Sequence, residues 1–547
     1  MNNLFHGYLM FTMLTGALLA LPITWLLLQR YRNQLIKLMG RNNAVSPPMP
    51  EKTNSTATTG INFQINLIDQ VENGRSSNSW SERQKEVVAI YGLGVLIYAA
   101  TVTAFQFMAD TIEFMPGRFG VVTLVHFWPF LLIWPFISGV SGKKYKTGIG
   151  IYLVTYFFIS ALLMEKFDAY GLLVLLGISN LLPTIMVLLL LIPRLRAAGI
   201  VVLVLTSFFM AGAYGLPNVF IDEEVRSMAA GSFNEIGIHR AGQMYIWLNI
   251  LGALAGITIS WLLIRFLGNI YHQKLVSDKS ILIDGIMLYF SLWMALILAY
   301  EGIVWFFLGI GAFLTYKIPV YYLLRSRIRQ KTVGQAPKKL LILRVFALGE
   351  RSDRLFRRIS RFWRLLGPVQ VISGPDLANS TIEPHEFMDF LTGRLSRQFL
   401  ESEEEINRKV AYLDDQPSAD GNYGINDFYA YNSSWKSVLA ALVETTDRII
   451  MDIRSFSPGH QGCIHEIKEL FRRISIKKVL FIIDRNTDWQ FMEKTFQEAC
   501  SEIQKGEIND IPDGGLLIIN IYRLEGEDYS VGELLESIES PEIIVSH

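Results

Sequence analysis

Two cysteines in 547 residues, Cys463 and Cys500, are too few for a disulfide framework or a cysteine zinc cluster. Charge of either sign is not in excess: 50 Lys and Arg balance 50 Asp and Glu. The bulk charge therefore says nothing about nucleic acid, and no nucleic-acid partner is expected. The eight histidines fall at no metal-ligand spacing, so no metal site is expected. No Gly-x-x-x-x-Gly-Lys loop and no Ser, His and Asp in a hydrolase order are present. The amino terminus lacks a basic n-region and a small-residue cleavage site. Its first apolar run therefore reads as a retained anchor rather than a signal peptide. Charged residues are scarce altogether, 18% against 51% hydrophobic, and the mean hydropathy is +0.30.

What the chain has instead is apolar runs of bilayer length. About nine spans are expected, near Tyr8–Leu28, Ala89–Ala109, Phe119–Val140, Thr147–Met164, Tyr170–Ile192, Ala197–Leu216, Tyr245–Phe266, Ile281–Ala299 and Gly302–Leu323. Helices are the natural form, because lipid offers no partner to a backbone polar group. Lys and Arg cluster on alternate sides: Arg30, Arg32, Lys37 and Arg41; Lys143, Lys144 and Lys146; Arg194 and Arg196; Lys274 and Lys279; then Arg325, Arg327 and Arg329. The intervening loops hold mostly acids. The positive-inside bias places the amino terminus outside and the carboxyl-terminal domain in the cytoplasm, as for a multi-pass inner-membrane protein. Four polar residues fall inside spans: His126, Asn180, Asp284 and Lys317. They mark a transport pathway or simply pack helices. Domain bounds follow: a multi-pass domain over 1–330, a linker over 331–337, and a soluble domain over 338–547. Within the first, residues 42–84 are rich in Ser, Thr, Asn and Pro and read as a flexible cytoplasmic loop.

After the linker the pattern changes. "KLLILRVF" is a short apolar run, the signature of a strand buried on both faces of a parallel sheet. Further runs at Val369–Ser373, Arg448–Ile453, Lys478–Ile483 and Leu516–Arg523 alternate with amphipathic helices. The expectation is an α/β domain with a parallel five-stranded sheet in a flavodoxin-like arrangement. Ligands bind such sheets beyond the carboxyl ends of the strands. The loops there hold Arg351, Ser352, Asp376, Ser455, Arg485 and Asp488, and the Glu466 helix starts from one of them.

The order of elements resembles a Toll/interleukin-receptor (TIR) domain. The first loop ends in Ser352-Asp353, and the second strand leads into "PDLANSTIEP". A helix with an early Trp, "SSWKSVLAALVETTDRIIMDI", precedes the next strand, and Ser455 and "GCIHE" follow it. Gly462 stands where the family has Trp, and about 40 residues from Gly393 to Ser433 have no counterpart in a minimal TIR domain. The resemblance covers roughly the last 210 residues. It implies that Glu466 is catalytic and that NAD is a substrate rather than a cofactor; the candidates for binding that substrate are the rim residues Arg351, Ser352, Asp376, Ser455 and Arg485. It also implies self-association through this domain.

Read from the residues alone, Glu466 is either a helix-start charge or a carboxylate for an oxocarbenium-like state. Arg351, Arg354, Arg357, Arg358, Arg361 and Arg364 form a basic face, either solvated or set against anionic membrane lipids. Three function classes stand. One is a membrane signalling effector that cleaves NAD at its glycosidic bond, in stress or phage defence. Another is a non-enzymatic receptor that binds a nucleotide or a partner protein. The third is a transporter with a regulatory domain.

Overall fold

The computed structural model describes residues 2–39, 62–68, 78–111, 113–138, 142–163, 168–190, 193–215, 227, 231, 241–272, 278–329, 336–344, 350–373, 387, 390–391, 393–413, 415–418, 421–431, 433–501, 516–524 and 534. The chain divides into two compact units. One comprises Met1–Tyr31, Glu82–Ile328 and Ile382–Thr392; the other comprises Arg32–Ser81, Arg329–Thr381 and Gly393–His547.

The first unit is helical. Its helices, apart from the end of α1 and the start of α2, are α1 (Asn2–Met39), α2 (Asn78–Ala109), α3 (Pro116–His126), α4 (Pro129–Ser138), α5 (Gly142–Leu163), α6 (Ala169–Leu190), α7 (Pro193–Met210), α8 (Ala241–His272), α9 (Asp278–Leu298) and α10 (Ile303–Leu323). Among the described residues five helical segments are long and apolar enough to cross a membrane: Gln84–Ala109, Lys143–Leu163, Gln243–Leu267, Lys279–Leu298 and Ile303–Arg327. The protein is a membrane protein. These account for part of the nine expected spans. The third is a pair, α3 and α4, bent by 46° where Pro129 starts the second helix. Counted as one span, the pair brings the number to six. The apolar stretches within α6 and α7, Ala169–Leu181 and Val201–Ala213, are shorter than a bilayer crossing.

Close packing in this unit relies on missing side chains. A Cβ on Gly256 would stand 2.0 Å from the Phe208 carbonyl oxygen, and one on Gly212 would stand 1.9 Å from that of Gly252. Glycine lets α8 approach the α7 backbone directly, as small residues do between membrane helices. The intramembrane polar residues are internally paired. His126 Nε2 lies 3.2 Å from Gln106 Oε1, and Asn180 donates to the Val125 carbonyl at 3.0 Å. Lys317 pairs with Asp284, which also accepts from Tyr316 and Ser280.

The second unit is built on one eight-stranded sheet, not the expected five strands. The strands are β1 (Asn62–Ile68), β2 (Leu340–Arg344), β3 (Val369–Ser373), β4 (Phe399–Leu400), β5 (Ile425–Ala430), β6 (Arg448–Asp452), β7 (Val479–Ile483) and β8 (Leu516–Arg523). Their order is β1-β8-β7-β6-β2-β3-β5-β4, and every pairing is parallel. The five expected strands form the centre in the doubly wound order 2-1-3-4-5. The extra strands come from two places. β4 and β5 lie in the insertion between Gly393 and Ser433 and extend one edge. β1 lies in the stretch expected to be a flexible loop, and it extends the other edge. The loop reading rested on composition averaged over some forty residues. That average hid the alternation of Phe63, Ile65 and Leu67 with Asn62, Gln64 and Asn66.

The apolar runs are continuous because each strand feeds two cores. Leu341, Leu343, Ile449, Met451, Phe481, Ile519 and Ile521 point to one side. There they meet α12 (Glu403–Ala411), α13 (Trp435–Thr445), α14 (Gln461–Arg473) and α15 (Trp489–Ser501). Leu340, Ile342, Val371, Ile450, Leu480 and Ile482 point to the other side, against Leu355, Ile359 and Trp363 of α11 (Glu350–Trp363). The basic face of α11 is smaller than its sequence suggests. Arg364 is buried and donates to the Tyr423 carbonyl at 2.5 Å, and burial lowers the pKa of Arg361. Arg351, Arg354 and Arg358 remain exposed.

Candidate functional site

Two neighbouring strands end in an aspartate. Asp452 closes β6, and Asp484 directly follows β7. Both carboxylates are buried, and a buried carboxylate must be met by donors. Arg454, two residues beyond β6, grips Asp452 with Nε at 2.8 Å and a terminal nitrogen at 2.7 Å. Ser352, in the first turn of α11, donates its hydroxyl to the same carboxylate at 3.1 Å. A terminal nitrogen of Arg454 also reaches the Arg351 carbonyl at 3.1 Å. This ties the start of α11 to the end of β6.

Asp484 is the second hub. It accepts from the Ser455 N–H at 2.9 Å, the Asn486 N–H at 3.1 Å and the Thr487 hydroxyl at 3.1 Å. Arg351 approaches it at 3.1 Å. Ser455 adopts a φ of 56°, a left-handed conformation uncommon for serine. The hydrogen bond to Asp484 holds it there. β2 and β6 are adjacent although the chain passes through β3, β4 and β5 between them. Their carboxyl ends therefore flank the point where the strand order reverses, the usual ligand position in a doubly wound sheet. Arg351 is the group turned to solvent: its side chain is 49% exposed, while that of Asp484 is 7% exposed.

Three of the expected site residues, Arg351, Ser352 and Ser455, are thus brought together. Arg485 is exposed on the same loop as Asp484. Asp376 lies outside the described residues. Glu466 is placed differently from expectation. α14 begins at Gln461, so Glu466 is in the second turn and not at the helix start. It is also buried, being 2% exposed. The reason is that α14 packs against both α13 and α15 above the sheet, so its buried arc is wide and takes in Cys463, Glu466, Ile467, Glu469, Leu470 and Phe471. Burial pushes the Glu466 pKa up to about 8, and its Oε2 has no hydrogen-bond partner. At pH 7 it is chiefly a neutral acid, not the dipole-stabilised carboxylate its position in the sequence suggests. Cys463, one turn earlier on the same buried face, has its thiol pKa raised chiefly by burial.

Asp452, Arg454, Asp484 and Thr487 were not singled out by sequence reasoning. A signal existed: an aspartate directly closing an apolar strand, in "IIMDIR" and again in "FIIDRN". A separate groove of about 420 Å³ runs between α12, α13 and α14. Two of its cations are paired, Arg473 with Glu444 and Glu469, and Arg472 with Glu469. Compared with known proteins, the chain matches no family model, no curated protein and no solved structure.

Proposed function

We propose that this is a membrane-anchored signalling protein whose α/β unit takes an anionic, nucleotide-class ligand at the rim beside the ends of β2 and β6. The observation that carries this reading is Arg351. It is a half-exposed guanidinium at the first turn of a 14-residue helix, held by the buried Asp484 at the end of β7, one strand from the strand-order reversal. A cation at the amino-terminal turn of a helix suits phosphate oxygens. The test is titration of NAD and ATP into the full chain in lipid nanodiscs. Arg351→Ala should weaken binding about tenfold or more, equivalent to about 1.4 kcal/mol. Equal affinity in the variant, or no binding at millimolar nucleotide, sinks the reading.

Glu466 favours a second reading, NAD cleavage by the same unit. A buried, protonated carboxyl with an unpartnered oxygen is suited to acid chemistry at neutral pH. Glu466→Gln would then abolish turnover by orders of magnitude while binding persists. An assembled wild-type chain that leaves NAD and NADP intact removes this reading and leaves the first standing.

The topology we infer puts the amino terminus outside and the α/β unit in the cytoplasm of an inner-membrane protein, with nine crossings. The Lys/Arg alternation supports the orientation. The β1–β8 pairing supports the parity. The chain leaves the sheet after β1 and returns at β2, so it crosses the bilayer an even number of times between them. The six spans together with the two shorter apolar helices make eight, and α1 adds one. Anionic lipid remains a proposed partner of the exposed arginines on α11.

A further inference from the structure

The β8 edge is covered by a strand that the carboxyl-terminal domain does not itself supply. β1 is joined to α1 through residues 40–61 and to α2 through residues 69–77. It pairs with β8 over its whole length, Asn62 opposite Leu516 through Ile68 opposite Tyr522. Asn66 donates to the Asn520 side chain at 2.9 Å, and Phe63, Ile65 and Leu67 pack on the core while staying only partly buried. β1 is the terminal strand, so it is held along one edge alone.

β8 reads "LLIINIYR", rich in isoleucine and with no charge or proline before Arg523. Bare, such an edge is a template for another strand. What it selects is visible in its occupant: a parallel strand with apolar residues at alternate positions, the recognition mode of strand addition. The 22 residues before β1 can span at most roughly 75 Å, at about 3.3–3.6 Å each, and the nine after it roughly 30 Å. These lengths allow a β1 to reach a neighbouring sheet. We propose that the β8 edge is a self-association surface, and that the Asn62–Ile68 strand of one copy can occupy the β8 edge of a second copy. The partner is a second copy of this chain because the strand that fits the edge is the chain's own. The proposal does not depend on what the rim binds.

Gln64 and Ile518 are in register and lie on the less buried side of the pair, so cysteines there disturb little. Two differently tagged full-length chains, one with Gln64→Cys and one with Ile518→Cys, are co-expressed, reconstituted in vesicles and treated with a short bis-maleimide. Cys463 and Cys500 are buried and serve as the background control in untouched chains. The expected result is a product containing both tags, lost when Ile65→Asp is added to the first chain. A chain carrying both cysteines should also give a linked monomer. Efficient monomer linkage with no mixed product, at any protein density in the vesicle, overturns strand exchange. Failure of both products overturns the surface itself.

Discussion

Glu466 makes a testable demand on pH. Its folded pKa, about 8, lies above the ordinary carboxyl value of 4.5. Between those values the folded state holds a proton that the unfolded state has released. Stability contributed at this residue is therefore fully present below about pH 4.5, declines as pH rises, and is lost by about pH 8. Glu466→Gln removes the titration while keeping the shape. We expect the variant to match wild type near pH 4.5 and to be more stable at pH 8, on the order of 1–4 kcal/mol. Thermal unfolding of the full chain in detergent at both values measures it. A gap that is constant with pH would mean that the carboxyl is not buried as a neutral acid. Cys463 and Cys500 give an independent check at the same scale. Burial raises both thiols, Cys500 to about 12, so neither forms much thiolate at pH 8. Both should react with an aromatic disulfide reagent only as the α/β unit unfolds. Rapid labelling of folded protein would contradict their burial.

At the scale of elements, the turn from α11 to β3 tolerates little change. A Cβ on Gly367 would stand 2.0 Å from the Lys338 carbonyl oxygen, an atom of fixed backbone. The same carbonyl accepts from the Trp363 indole at 2.8 Å. Gly367→Ala should cost about 1–3 kcal/mol by overpacking, visible as a lowered unfolding midpoint. The start of α12 gives a milder case. Ser402 and Glu405 form a capping box: the serine hydroxyl accepts from the Glu405 N–H, and the Glu405 carboxylate accepts from the Ser402 N–H. Ser402→Ala should cost about 1 kcal/mol. The pattern of this cap, "SEEE", is local. The clash at Gly367 is not, because Lys338 is 29 residues away in the chain and close only once α11 has folded back.

For the whole molecule, the sharpest expectation is sidedness. Ser227→Cys and Gly459→Cys, in an otherwise unchanged chain, should label oppositely with an impermeant thiol reagent in intact cells. A Cβ on Gly459 meets no atom within 4 Å, so that change is mild. Labelling of Gly459→Cys from outside would reverse the orientation. The isolated stretch 338–547 should aggregate or fail to fold cleanly, because it lacks β1 and leaves the β8 edge bare. Adding residues 58–72 in front of it should restore a monomeric species in size-exclusion chromatography. No difference between the two would mean that β1 contributes little to the unit.

The sequence by itself determined the apolar helices, the five central strands and the rim to which they point. Each is written in a local period: runs of bilayer length, or short buried runs such as "VLFII" closed by polar loops. It also placed Arg351, Ser352 and Ser455 at that rim, since carboxyl ends of parallel strands fall together by topology. Only the tertiary structure decided three things. It brought β1 across some 450 residues to β8, because a partner edge gives a weakly apolar segment the burial it lacks alone. It joined Asp452 and Asp484 to groups from β2's successor helix and the following loops, pairings that no spacing announces. And it buried Glu466, because how wide an arc a helix hides depends on its neighbours, here α13 and α15, and not on its own periodicity.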